Sequence, residues 1–276
     1  MSQLIDNLNT IESIKTDIKA AIENKGVDMT GVSFPGYASK IGEISGGGTV
    51  GWDQKSFTEG TIELINLDNS ASFVASSAFM NDKKIQTVNL PYATIVRNYA
   101  FQSCVSLTQV SLPMCSYIAT YAFYGCTSLT QVSLPMCSYI SIRAFQSCIS
   151  LTQVSLPMCS YIGNSAFYTC WNISQVSLPM CSYIGINAFW QCYPLAQVSL
   201  PMCSYIGNNA FRGCGLLSII TLGYSNICSL NTSSTFYNTQ ITSSKGSIYV
   251  PASLVDAYKS ATNWSYFSTQ IFPIPE

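Results

Sequence analysis

The chain has 276 residues, of which only 9% are charged, 12 basic against 13 acidic. Its mean hydropathy of +0.26 is high, yet its apolar runs are broken every few positions by Ser, Thr, Gln or Asn. None approaches the roughly 18 to 20 apolar residues of a spanning helix, so no membrane insertion is expected.

Along the chain, residues 1–48 come first and hold ten of the charged side chains. Leu4, Leu8, Ile11, Ile18 and Ile22 fall at heptad-like positions, with Ile5 and Ile14 beside them, which predicts an amphipathic helix ending near Gly26. Such a helix serves either for assembly with copies of itself, a homotrimer being one arrangement, or as a cap folded back on the next element. In VSFPGYASKIGEI, Phe34, Tyr37, Ile41 and Ile44 share one face of a second short helix, and SGGGTVG reads as a flexible linker. Residues 1–44 are therefore read as a helical attachment or oligomerisation segment and 45–60 as a Gly-rich linker. The opening MSQLIDNLNTIESIKTDIK has Asp6, Glu12 and Asp17 where a signal peptide would carry a basic stretch and an apolar core, so no secretion signal is read there. The stretch IKTDIKAAIENKGVDMTGVSFPGYASKIGEI resembles an N-terminal attachment segment of bacteriophage virion proteins, tail-fibre and baseplate components in particular. That resemblance implies a virion protein made in the host cytoplasm, with other virion proteins as partners of the N-terminal helices.

From Thr61 onward the sequence repeats. QVSLPMCSYI occurs five times, starting at Gln109, Gln131, Gln153, Gln175 and Gln197, so the period is 22 residues. Looser copies flank the run: INLDNSASFVASSAF and VNLPYATIVRNYAF before it, ITLGYSNI after it. An Ala-Phe pair recurs, with phenylalanines at 79, 101, 123, 145, 167, 189 and 211. Alternating Val and Leu predict a short strand facing inward, and the adjacent proline, as at Pro135, stops it. The Ala-Phe segment turns the chain back and buries the ring. One coil cannot bury its own apolar face, so stacked coils must share a core. With strands ~4.8 Å apart, eight or nine coils make a rod of roughly 40 Å.

Written on one period, the unit L-x-x-V-x-L-P-x-C-x-x-I-x-x-x-A-F-x-x-C-x-x resembles the leucine-rich repeat, and its L-P-x-x-x-x-I-x-x-x-A-F-x-x-C form is similar to the BspA-like, Treponema-type subfamily. The resemblance covers about Thr61 to Leu222, and IYVPASLVDAYKSATNWSYFSTQIFPI resembles the C-terminal cap of such proteins. It implies a leucine-rich-repeat solenoid of α/β repeat type, mostly short strands and turns, preceded by the N-terminal helices: residues 61–222 form the solenoid and 223–276 a C-terminal repeat and cap. Members of that family are typically adhesion or binding proteins, which makes a bacterial cell-surface adhesin or interaction module the alternative to a virion protein.

The chemistry of the repeats argues against an enzyme. Histidine is absent from the chain, and no Asp or Glu lies between Asp82 and Asp256, so neither the commonest general base nor a pair of catalytic carboxylates is available there. No nucleotide-binding glycine motif stands between a strand and a helix. Eleven of the 12 cysteines, from Cys104 to Cys214, follow one another every 11 residues. No C-x-x-C pair exists, so they are read as buried free thiols filling the core, with a metal ladder or cross-links between coils as lesser alternatives. No cofactor and no metal are expected. Arg97, Arg143, Arg212 and Lys245 are too isolated for the basic stripe that nucleic acid demands.

Comparing the copies separates a constant half, QVSLPMCSYI, from a changing half. The changing positions flank Ala-Phe and follow the next cysteine, and include Tyr124, Arg143, Gln146, Tyr168, Trp171, Trp190, Tyr193 and Arg212. Tyr168, Trp171, Trp190 and Tyr193 would fall on adjacent coils, and aromatic groups with few charges suit contact with a protein or glycan of a host surface. The same variation also fits drift at tolerant exposed positions. The repeated Gln and Ser positions read instead as cross-strand pairs that stabilise the sheet.

Overall fold

The computed structural model describes residues 61–63, 73–223 and 225–275. The assembly positions Leu4, Leu8, Ile11, Ile18 and Ile22, the second helix and the linker lie outside the described residues.

Each coil contributes two strands. The first is the three-residue segment seen at Gln109–Ser111, Gln131–Ser133, Gln153–Ser155 and Gln175–Ser177, lengthening to Gln197–Leu200. Its central valine faces the core while Gln and Ser point away, the alternation expected of a half-buried strand. Leu-Pro-Met-Cys then forms a turn, closed by the Cys115 N–H donating to Leu112 O at 3.1 Å, with Pro113 at the position whose φ proline presets. The second strand is only two residues long, Tyr117–Ile118 and its equivalents. Two residues give no readable alternation, so this second ladder was not foreseen.

Both ladders are parallel and slip by one period per coil: Gln109 pairs with Gln131, and Tyr161 with Tyr183. The two-residue strands form one continuous sheet of eight, from Phe73–Val74 to Ser229–Leu230. The first-strand ladder is divided into three stretches and continues past the repeats through Ile219–Leu222, Ser247–Val250 and Ile271–Pro273. The structure is thus a parallel-strand solenoid of short strands and turns. The α-helix described, Val255–Ser260, lies in the cap.

The third side of each coil is built from turns. In the coil around Phe145, Ala144, Gln146 and Cys148 donate to Ser141, Arg143 and Phe145 carbonyls in succession. Arg143 (φ 55°) and Ser147 (φ 61°) take the left-handed backbone that the third position of such turns requires, and Gly125 and Gly213 fill that position without strain elsewhere. The N–H groups left over reach the next coil: Arg143 donates to Asn164 O, Phe145 to Ala166 O at 2.8 Å and Ser147 to Tyr168 O. Three lines of hydrogen bonds therefore join adjacent coils and satisfy the buried backbone.

Inside, identical residues stack into columns. The phenylalanine rings from Phe79 to Phe236 lie within 10° of parallel at centroid spacings of 5.1 to 6.0 Å. All 12 cysteines are buried free thiols. One column donates across coils, Cys148 Sγ to Phe123 O at 3.1 Å and Cys170 Sγ to Phe145 O at 3.0 Å. The other donates within its own coil, as Cys137 Sγ does to Tyr139 O. Cysteine recurs because it combines a small apolar volume with a weak donor for a carbonyl that otherwise has one lone pair idle.

Adjacent coils approach closely after the short strand. A Cβ on Gly185 would lie 2.6 Å from the backbone of Gly163 and Asn164. Gly185→Ala must therefore push two coils apart, at an expected cost of about 2 kcal/mol. Urea unfolding of this variant beside the parent chain measures it, and an unchanged midpoint would refute the close approach.

At the C-terminal end the chain seals the core. The Trp264 indole N–H donates to Cys228 O, and the Tyr258 hydroxyl accepts from the Cys228 N–H at 2.7 Å. Both rings are buried, so the last coil is covered by apolar surface whose polar tips are paired.

Candidate binding surface

Ala and Phe of each turn segment point inward, so the residues on either side of them point out. The position following Phe builds one outward column: Tyr124, Gln146, Tyr168, Trp190 and Arg212, ending at Tyr237 after the cap's Phe236. Tyr168 and Trp190 rings sit 5.6 Å apart, and the Arg212 guanidinium lies 4.8 Å from both the Trp190 and Tyr237 ring centres. A cation held between two rings fixes three long side chains in place, which lowers the entropy cost of using them in contact.

The position preceding Ala builds a neighbouring column at the other end. Tyr99 and Tyr121 stack at 5.2 Å, Arg143 Nη1 donates to the Tyr121 hydroxyl at 2.6 Å, and Tyr124 meets Tyr121 edge to face. Tyr124 and Arg143 are thus gathered by Tyr121, while Gln146 occupies the column between the two aromatic groups. The Gln146 Oε1 is buried and has no partner among the described residues. Trp171 and Tyr193 stand on a third column, after the cysteine, and make no ring stack with the others among the described residues. They are 53% and 59% exposed, and Arg143 is the other exposed position of the eight expected from the sequence. The Tyr193 ring lies over Gly215, where a Cβ would meet it at 2.3 Å.

Sequence reasoning missed Tyr99, Tyr121 and Tyr237 as members of this surface. Tyr99 and Tyr121 carry a signal, their 22-residue spacing before Ala-Phe. Tyr237 does not, because the cap coil is longer than a repeat.

The constant half presents a different face. Backbone register sets Gln109 opposite Gln131 and Ser111 opposite Ser133, while Ser138, Ser160, Ser182 and Ser204 hydroxyls each donate to the carbonyl one coil back. Tyr117, Tyr139, Tyr161, Tyr183 and Tyr205 form a stacked ladder at 4.3 to 5.1 Å, and the methionine of each turn between the two strands, Met114 to Met202, is exposed. These contacts join coil to coil, so this side of the solenoid is largely engaged in its own cohesion.

The described residues contain no histidine, and their acidic residues are Glu63, Asp82 and Asp256. Among the described residues no group of three His, Cys, Asp or Glu converges to hold a metal. Burial holds the Cys104 thiol up to about 12 and Cys115 up to about 11, and raises the thiols from Cys126 to Cys192 as well, which keeps them protonated and unreactive at neutral pH. Among the described residues no helix is long and apolar enough to cross a membrane.

No curated protein matches the chain significantly. Among solved structures, a leucine-rich cell surface protein from Faecalibacterium prausnitzii is 29% identical with a TM-score of 0.52, the match covering 56% of this chain and 43% of that one. A leucine-rich-repeat protein from Bacteroides ovatus is 21% identical (TM-score 0.47, 64% of this chain, 58% of that one), and the T. pallidum leucine-rich-repeat protein 31% identical (TM-score 0.32, 48% and 53%). The chain thus spans about half the length of the structures it matches. The BspA type leucine-rich repeat region matches in six copies over residues 52–158 and 138–261, which takes in every described coil and most of the cap. With its 22-residue period, stacked phenylalanines and paired short strands, the chain belongs to the BspA-type leucine-rich-repeat family.

Proposed function

We propose that this chain is a non-enzymatic binding module of a bacterial cell surface, and that it grips a protein or glycan of an opposing surface through its aromatic ribbon. The observation that carries this reading is Arg212 held between Trp190 and Tyr237, with Tyr168 beside them and exposed Trp171 and Tyr193 alongside. Rigid aromatic groups with an arginine are the side chains that concentrate binding energy at interfaces. A surface location is supported by the family and by the described role of the Faecalibacterium relative as a cell surface protein. The virion role expected from the N-terminal stretch draws no support from these matches. It rests on residues outside those described, and immunogold labelling of intact cells against phage particles separates the two locations.

The test is adhesion of the full chain to immobilised mucin, a glycoprotein that presents both peptide and sugar, before and after periodate oxidation of the sugar. Trp190→Ala and Arg212→Ala are expected to weaken binding about tenfold or more with folding preserved. Gln153→Ala, on the opposite face, should bind as the parent does. Equal binding by all three would overturn the ribbon as the contact surface.

A further inference from the structure

The cap holds a pocket of about 360 Å³ that none of the repeat positions predicts. It opens between the turn Ser233–Phe236 and the returning segment Ser265–Gln270, beside the point where the aromatic ribbon ends. Tyr237, Tyr266 and Phe267 supply aromatic wall, and Ser233, Ser244 and Gln270 supply polar groups. The size falls in the ordinary range of small-molecule sites, about 300 to 1,000 Å³.

Gln270 is the informative residue. Its side chain is 92% removed from solvent, its relative exposure being 8%, and its Nε2 donates to the Ser244 hydroxyl at 3.0 Å. The other end of the carboxamide, Oε1, is buried without a partner. Turning the amide over would only exchange the atoms, leaving Nε2 idle in place of Oε1. Oε1 is sealed from solvent, so what Gln270 gives the pocket is the orientation of Ser244: the Ser244 oxygen accepts from Nε2, and its hydroxyl proton is left to donate outward. Opposite stand two phenol rings on the rim, Tyr237 half exposed and Tyr266 three-quarters exposed. No charged side chain lines the pocket.

We infer that the cap pocket binds a neutral pyranose sugar, whose C–H face lies on Tyr237 or Tyr266 while a hydroxyl or acetamido oxygen accepts from the Ser244 hydroxyl that Gln270 orients. Hydroxyls on the wall, aromatic faces and the lack of charge are together what a neutral sugar requires, and an acidic sugar would find no cation among the lining residues. Tyr237 places this pocket at the end of the ribbon without sharing its other members, so the two proposals fail separately.

The experiment is saturation-transfer NMR on the full chain with two neutral probes, N,N′-diacetylchitobiose and maltose, and galacturonic acid as the charged comparison. Saturable transfer from at least one neutral probe, and none from galacturonic acid, is expected. Tyr266→Ala, which alters an exposed side chain and leaves the core intact, should weaken binding about fivefold, and Gln270→Leu by a similar factor. Trp190→Ala should leave it unchanged. No transfer from either neutral probe would overturn the proposal and leave the pocket to water alone. Transfer that both cap variants retain would overturn it too, and loss on Trp190→Ala alone would move sugar binding to the ribbon.

Discussion

Raising the pH from 8 to 10 is expected to unfold the solenoid in one cooperative step. Eleven thiols have folded pKa values above their ordinary value of 9.0, ten because burial disfavours the thiolate and Cys228 chiefly through its contact with Cys203. A thiol whose folded value is raised contributes its stability fully below the unfolded value and loses it as pH climbs toward the folded one. The window therefore opens near pH 9 and extends to about 11, where Cys115 and Cys159 would ionise within the fold. At half a unit above the unfolded value each thiol withdraws about 1 kcal/mol or a little less, so eleven together withdraw on the order of 10 kcal/mol. That is comparable with the whole stability of an ordinary domain, about 5 to 15 kcal/mol. Circular dichroism and thiolate absorbance, followed together under reducing conditions, should change at the same pH. A chain that stays folded at about pH 10.5, or thiols that ionise gradually before the fold is lost, would contradict a sealed sulfur interior.

Phe145→Ala is the second large effect. Its ring is fully buried between Phe123 at 5.1 Å and Phe167 at 5.3 Å, in a stack that no flexible neighbour can refill. Truncation leaves a cavity at the centre of the array, at a cost of about 3 to 5 kcal/mol. Tyr168→Ala removes one ring contact, to Trp190, on the outward column and should cost about 1 kcal/mol or less. Denaturant unfolding of the two variants measures the difference. Equal destabilisation would reverse the assignment of inside and outside.

The division between these two residues was legible because the period is strict: identical spacing forces Phe145 and Phe167 into one column whatever the coil's detailed path. The same spacing brought Tyr168, Trp190 and Arg212 together. It could not reveal the left-handed turns that carry them, since Arg143, Ser165 and Asn187 occupy that backbone position with no residue type in common. Nor could it reveal the cap. Tyr205 pairs with Ser229 across 24 residues and Ile219 with Ser247 across 28, so counting by 22 misplaces Phe236 and Tyr237. Gln270 is drawn into the pocket by tertiary folding of a segment that repeats nothing, and no local pattern marks it.

The most direct test of where this solenoid binds is oxidative footprinting of the full chain, free and on immobilised mucin. Trp171, Trp190 and Tyr193 should lose reactivity on binding, while Met136 and Met158, exposed on the constant side, serve as internal references and keep theirs. Protection of the methionines with the aromatic ribbon left open would place the contact on the opposite face and contradict the account.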